Sequence, residues 1–359
     1  MTSPKGSILV TGANGGLGCS IVSHILNESK LSSYYGLYTV RAPERATAVQ
    51  SVLQKCKKVS HDYELVSLEL TSLASTRKAA EAINAKVAAG EIPLIRALIL
   101  NAGWQEYFTQ TNTEDGFDTA FQSNFLSHFL FTLLLLKSMD KEHGRVVVLG
   151  SWSHDTADPR NNVPGLLNPF VTEKYSQVFK EPLDIEPLAR GKWSPPDEEP
   201  DPSNPGYKSN PGYRRYGASK LCEVMFMREL SKRISTDPAL SSIAVLAVDP
   251  GGMSTGLTRR GNSVLNTVGK VLSPFMGVLV KIMPGNDFRT TAQSASDVIA
   301  AAFDTEKLGV KPNGFYMDGH VKSEPGAEAK DDVKCERLWV DSLGYAQVKA
   351  GDTCLVNWQ

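Results

Sequence analysis

Two short stretches of this sequence have residue types and spacings that could do chemistry. Tyr216 and Lys220 stand four apart in Y-G-A-S-K, which on a helix puts a phenol and an ammonium on one face. A tyrosine at its ordinary pKa of about 10 is a poor acid or base at neutral pH, and a neighbouring positive charge moves it toward use as a proton carrier. The second stretch is T-G-A-N-G-G-L-G, from Thr11 to Gly18. Gly12, Gly16 and Gly18 strip side chains from a tight turn where a pyrophosphate must approach the backbone, and the first N–H groups of the helix that follows face the phosphates. A second Y-x-x-x-K, Tyr345 to Lys349, lies beyond the last strand candidate, has no P-G turn after it and reads as surface structure.

The elements that must position these groups follow from the apolar pattern. The first half alternates short runs rich in β-branched residues with longer helical segments, which is how β-α units build a parallel sheet. Strands are expected near residues 7–11, 36–40, 64–68, 96–100 and 145–149, with helices starting near Gly16, Pro43, Ser72 and Thr113 as crossovers. The helix over 113–139 carries Phe117, Phe121, Phe125, Phe129 and Leu133 and should be well buried. After a proline-rich break, a helix is expected over 216–233, then a strand over 243–248, the turn Asp249-Pro250-Gly251-Gly252, a helix over 290–303, a short strand over 314–317, and a final helix with an irregular tail.

With its elements in this order, the chain resembles the short-chain dehydrogenase/reductase family, whose fold is an α/β, Rossmann-type, doubly wound parallel sheet of about seven strands. The glycine turn has the family's T-G-x-x-x-G-x-G spacing. Asn101-Ala102-Gly103 after the fourth strand is similar to its N-A-G element, and Asn124, in Q-S-N-F-L-S-H-F, stands where the family has a catalytic asparagine. Ser151, after the fifth strand in V-V-V-L-G-S, matches the catalytic serine. Tyr216 and Lys220 match Y-x-x-x-K, and Pro250, Gly251 and Thr255 match P-G-x-x-x-T.

The resemblance implies a nicotinamide cofactor and hydride transfer to or from a carbonyl or alcohol carbon. It assigns Ser151 to the substrate carbonyl, Tyr216 to the proton, Lys220 to the nicotinamide ribose and Asn124 to a water relay. A positively charged oxidised nicotinamide would join Lys220 in favouring the phenolate. Cofactor contacts are expected from Gly12, Asn14, Gly16, Leu17, Gly18, Arg41, Glu69, Leu70, Asn101, Ala102, Gly103, Tyr216, Lys220, Pro250, Gly251 and Thr255. Glu69 stands where the family more often has Asp beside the adenine. The second strand ends Tyr38-Thr39-Val40-Arg41 with no carboxylate to accept ribose hydroxyls. Arg41, with Arg45 as a second contact, suits the extra 2′-phosphate instead, so NADP is the expected cofactor.

The pattern departs from the family between Ser151 and Tyr216, where an insertion over about 155–213 replaces a short loop. It holds 11 of the chain's 20 prolines and, counted from just after Ser151, the aromatics Trp152, Phe170, Tyr175, Phe179, Trp193, Tyr207 and Tyr213. It could be an aromatic lid over the substrate or a proline-rich surface excursion. A substrate-binding segment is expected over about 252–290. Its apolar part, 264–283, is interrupted by Lys270, Pro274 and Lys281, falls short of a spanning helix and reads as a buried or substrate-facing helix pair. The insertion and the late N-G-F-Y-M-D-G look similar to members acting on retinoids, sterols and fungal secondary-metabolite ketones. A hydrophobic, fairly large small-molecule substrate is therefore expected.

Composition narrows the rest. Lys and Arg number 38 against 39 Asp and Glu, so nothing resembles the footprint of a nucleic-acid binder. Five scattered cysteines form no C-x-x-C pair and six histidines no metal-binding spacing, which fits neither a disulfide framework nor a metal site. No secretory signal precedes the first apolar run, and a cytoplasmic protein of one domain over 1–359 is expected. The resemblance also implies a homodimer or homotetramer through the two long helices, unless insertion or tail covers them. A second class of function, non-redox use of the fold as a cofactor-sensing binding protein, cyclase or isomerase, is disfavoured by the intact Asn124, Ser151, Tyr216 and Lys220.

Overall fold

The computed structural model describes residues 5–55, 60–162, 168–197, 210–253, 255, 257 and 288–359. The apolar runs become the strands β1 (Ser7–Val10), β2 (Tyr35–Val40), β3 (Tyr63–Ser67), β4 (Ile95–Leu100), β5 (Arg145–Leu149), β6 (Ala244–Asp249), β7 (Tyr316–Asp318) and β8 (Val321–Ser323). They form one sheet in the order β3-β2-β1-β4-β5-β6-β7-β8. The first seven run parallel, as the family resemblance requires, and β8 returns antiparallel to β7. This eighth strand was not expected. It rests on a two-residue hairpin whose first residue, Gly319, has φ 57°, a conformation open to glycine. Every residue of β5 and β6 is buried, because helices cover both faces of the sheet.

Those helices are α1 (Gly16–Asn27), α2 (Ser29–Ser32), α3 (Thr47–Lys55), α4 (Leu73–Ala88), α5 (Ser127–Leu135), α6 (Glu186–Ala189), α7 (Pro211–Thr236), α8 (Thr291–Phe303) and α9 (Asp332–Tyr345). Apolar residues of α1, α3 and α8 build the core on one face. Those of α4, α5, α7 and α9 build the core on the other. The sheet order switches direction between β1 and β4, so the C-terminal ends of these strands open the crevice where such sheets bind ligands.

Three helix starts differ from expectation, two of them for a capping reason. The long helix begins at Thr119 rather than Thr113. Asp118 Oδ1 accepts from the N–H groups of Ala120 and Phe121 as its cap, while residues 113–117 close a turn through Thr113 N and Phe117 O at 2.8 Å. Residues Pro43–Arg45 make only a 3-10 turn ahead of α3. The helix of Tyr216 starts earlier, at Pro211, with proline in its first turn and the Asn210 side chain accepting from Tyr213 N.

The described part of the insertion is neither loose nor superficial. Phe170, Tyr175, Val178, Phe179, Ile185 and Leu188 are buried, and the last four join the core of α4, α5 and α7. The Glu328 carboxylate fastens this stretch by accepting from the N–H groups of Val178 and Phe179 at 2.8 and 2.9 Å. On the same side α9 lies against α5 and α7. Its Trp339 is 2% exposed, with ring centroids 5.0 Å from Phe129 and 6.2 Å from Phe226.

The stretch 264–283 lies outside the described residues. Among those described, no helix is long and apolar enough to cross a membrane. Cys19, Cys222, Cys335 and Cys354 are free thiols.

Candidate active site

The C-terminal ends of β1, β2, β4, β5 and β6 meet at one cavity of about 1080 Å³. Its lining includes every expected cofactor contact from Gly12 to Thr255, and also Arg45, Ser151, Tyr216 and Lys220. Of the expected residues only Asn124 is not part of the wall.

The glycine turn is as tight as its composition suggests. Gly12 has φ +65°, and a Cβ there would stand 2.9 Å from Ala102 Cα, while a Cβ on Gly18 would stand 2.3 Å from Gly12 O. The turn therefore tolerates no side chain at either position. α1 starts beside it with Gly15 as N-cap, no side-chain cap and no acidic residue in its first turn, which leaves its N–H groups and dipole to an anion. These features fit a dinucleotide pyrophosphate. Asn14 Oδ1 accepts from Val49 N at 3.0 Å, tying the turn to α3. Thr255 lies against Gly16, with Cβ 3.2 Å from where a glycine substituent would begin.

At the end of β2 Arg41 is exposed on the cavity rim, and the neighbouring Arg45 is exposed with Glu44 at 3.7 Å. Glu69 is on the wall, but its carboxylate folds back to accept from Thr71 N at 3.1 Å. Leu70 O is held by the Ser127 hydroxyl. Asn101 Nδ2 donates to Thr11 O at 2.7 Å, and Ala102 N donates to Thr11 Oγ1 at 3.0 Å, so the N-A-G segment is stitched to the glycine turn.

Ser151 leaves β5 in extended conformation as the cap of a short 3-10 turn. Its oxygen accepts from Ser153 N and from Ser153 Oγ, at 3.3 and 2.9 Å. With those lone pairs engaged, its single O–H is the donor left on the cavity side, where it reaches the phenol of Tyr216. Tyr216 is 7% exposed, and Lys220 Nζ stands 5.7 Å from its ring centroid. The ammonium donates to Leu149 O at 2.8 Å and pairs with Glu223 Oε2 at 2.7 Å. The sequence suggested that Lys220 would lower the phenol's pKa. Here burial and then the Glu223 carboxylate hold it above the ordinary tyrosine range, with the Ser151 hydrogen bond working in the other direction.

Asn124 lies behind the wall, fully buried, in a π-helical turn spanning Phe121–Leu126 that leads into α5. Such turns are rare and frequently occur at functional sites. Its Oδ1 accepts from Trp104 N at 2.6 Å, and its Nδ2 donates to Trp104 O at 3.0 Å and to Ser219 Oγ at 2.8 Å. The amide thus braces the segment after β4 against α7.

Trp104, Tyr107, Trp152, Tyr213 and Phe288 give the cavity aromatic lining. Trp104 and Tyr107 were not singled out in the sequence, whereas Trp152 and Tyr213 are among the aromatics expected at the insertion and Phe288 falls in the expected substrate-binding segment. Of these, only Trp152 and Tyr213 belong to the insertion or its edges, and no other described residue of 152–213 lines the wall. His154 is buried and neutral in its bonding, with Nδ1 2.7 Å from Ser151 O and Nε2 accepting from Gly326 N at 2.8 Å. It pins Ser151 to the segment after β8. Asp249, beside Pro250 and Gly251, is buried and meets Arg160 at 3.6 Å, and Arg289 donates to its carbonyl. The expected second Y-x-x-x-K is structural. Tyr345 is the last residue of α9 and packs edge-on against Phe117 at 5.5 Å, more buried than a surface position, while Lys349 lies past the helix end and is exposed.

A family model described as short chain dehydrogenase matches residues 7–162. The short-chain dehydrogenase iccH of Talaromyces variabilis is 50% identical, over 99% of each chain. The polyprenol dehydrogenase of Mus musculus is 27% identical, over 98% of this chain and 86% of that one. Among solved structures, NADPH-bound carbonyl reductase from chicken fatty liver superposes with a TM-score of 0.53 at 17% identity, over 90% of this chain and 95% of that one.

Proposed function

The chain belongs to the short-chain dehydrogenase/reductase family, and from that premise we propose that it is an NADP-dependent enzyme that reduces a carbonyl on a hydrophobic, fairly large substrate, or oxidises the corresponding alcohol. The observation that carries this reading is the convergence of the Ser151 hydroxyl, the Tyr216 phenol and the Lys220 ammonium on one cavity that also holds the glycine turn and Arg41. The cofactor, when bound, supplies or accepts the hydride.

The chain's own residues do the rest. The bare turn at Gly12, Gly16 and Gly18 and the uncapped start of α1 hold the pyrophosphate. Arg41 favours a 2′-phosphate, since no carboxylate competes at the end of β2. Ser151, its lone pairs occupied by Ser153, donates to the carbonyl oxygen and polarises it. Tyr216 gives its proton to that oxygen as negative charge develops there. Lys220, fixed on Leu149 O, keeps a donor for the cofactor ribose. Asn124 holds Trp104 in the wall. The aromatic lining of Trp104, Tyr107, Trp152, Tyr213 and Phe288 supports a substrate with a large apolar face.

The test is consumption of NADPH by purified protein across a panel of hydrophobic ketones, with Tyr216→Phe alongside. We expect turnover in the parent and a loss of about 10²–10⁴-fold in the variant, the range a positioned general acid contributes, with NADPH binding retained. NADPH binding without consumption of any ketone would favour a non-redox role, and full activity in Tyr216→Phe would remove the mechanism.

A further inference from the structure

Lys220 does not act on Tyr216 as an isolated positive charge. Three residues further along α7, and seven from Tyr216, Glu223 shares their face of the helix. It is 1% exposed. Its Oε2 is 2.7 Å from Lys220 Nζ and its Oε1 is 3.7 Å from His128 Nδ1 on α5. Among the described residues neither oxygen has a hydrogen-bond partner of good geometry. No cap, turn or backbone donor therefore accounts for a carboxylate in this position.

His128 is engaged elsewhere: its Nδ1 is 2.8 Å from Asn124 O, an acceptor, and its Nε2 is 3.0 Å from Thr11 Oγ1. The cation in closest contact with Glu223 is Lys220.

We propose that Glu223 is a positioning residue for the proton step: as the buried counter-charge of Lys220 it keeps Tyr216 protonated, so that the site donates a proton at neutral pH and the reverse oxidation needs alkaline pH. This rests on the reading of Tyr216 as proton carrier. Around the phenol stand Lys220, Glu223 and Tyr213 from α7, Ser151 after β5, Asp249 at the end of β6 and Tyr107 after β4. Of the two carboxylates, Glu223 raises the phenol more than Asp249 does.

The sign follows from charge. With Glu223→Gln the Lys220 ammonium is no longer balanced and stabilises the phenolate. The alkaline fall in kcat/KM for ketone reduction should then move down by about one pH unit or more, and alcohol oxidation at neutral pH should rise about tenfold. Glu223→Asp keeps the charge and should return both limbs toward those of the parent. If Glu223→Gln lowers kcat/KM equally at all pH values, Glu223 is scaffolding and the proposal falls.

A second measurement needs neither turnover nor cofactor. The ultraviolet phenolate titration of the parent, minus that of Tyr216→Phe, isolates Tyr216. We expect no step up to about pH 10, the ordinary tyrosine range, and a step below about 9 in the parent would overturn the proposal even if Glu223→Gln does not fold. If Tyr216→Phe stays fully active, the assignment of the proton carrier fails, while this titration, repeated on Glu223→Gln, still reports what Glu223 does to the phenol.

Discussion

Asp249 shows how a single buried group joins the site to stability. Burial is the largest influence on its carboxyl and raises it to about 6; Gly251 N, Arg160 and Arg289 pull it down, and Asp318 adds to the rise. An acid held above its unfolded value of about 3.9 binds its proton more tightly in the folded chain. Its contribution is therefore complete below about pH 4 and is lost as pH rises through about 6, a swing of roughly 3 kcal/mol. Asp118, also raised to about 6, adds to the same window. Asp249→Asn keeps an acceptor for Gly251 N while removing the titration. Its thermal midpoint should fall less than the parent's between pH 5 and pH 7.5, and equal falls would contradict this account. Ser151, Tyr216, Lys220 and the glycines were legible because each belongs to a local spacing beside a strand or helix end. Glu223, His128, His154 and Asp249 were not, because their meaning lies in partners that the fold brings together from distant positions, such as Gly326 with His154 across 172 residues.

Among the elements, strands were easier to read than helix ends. Apolar runs of four to six residues have little choice once both faces of the sheet are covered, and β1 to β6 fall within a residue or two of expectation. The start of the long helix was missed because Phe117 continues an apolar spacing that the backbone does not follow, Asp118 being the stronger signal. Asp118 has a second task. It pairs with Arg215 at 3.0 Å, both side chains 2% exposed or less, and so joins the cap of the Asn124 helix to the first turns of the Tyr216 helix. Asp118→Ala removes the cap and leaves a buried guanidinium without its counter-charge. We expect a loss of about 3–5 kcal/mol in denaturant unfolding, and a change below about 1 kcal/mol would show that the pair is not needed. Among the described residues between 155 and 197 the prolines go with short helical turns only, but composition could not say that Val178, Phe179, Ile185 and Leu188 would enter the core. That outcome depends on α9 and Glu328, more than a hundred positions further on.

For the whole molecule, the most informative contact is the one between α9 and the pair α5 and α7. The resemblance to the family suggested assembly through those two long helices. Around Phe129 and Phe226 that face is occupied by Trp339, which also donates to Trp358 O at 2.7 Å, while Arg233 of α7 binds Glu336 of α9 at 2.9 Å. Trp339→Ala should cost about 3–5 kcal/mol, as emptying a large aromatic site does. Light scattering should find the parent at the mass of one chain, with self-association appearing in the variant, and a parent dimer would mean that another face is used. A chain that covers this face with its own helix has no need of a neighbour to keep its catalytic helices in place. Its specific activity should then hold constant on dilution, and an inactive copy mixed with active ones should subtract only its own share, with no poisoning of the rest.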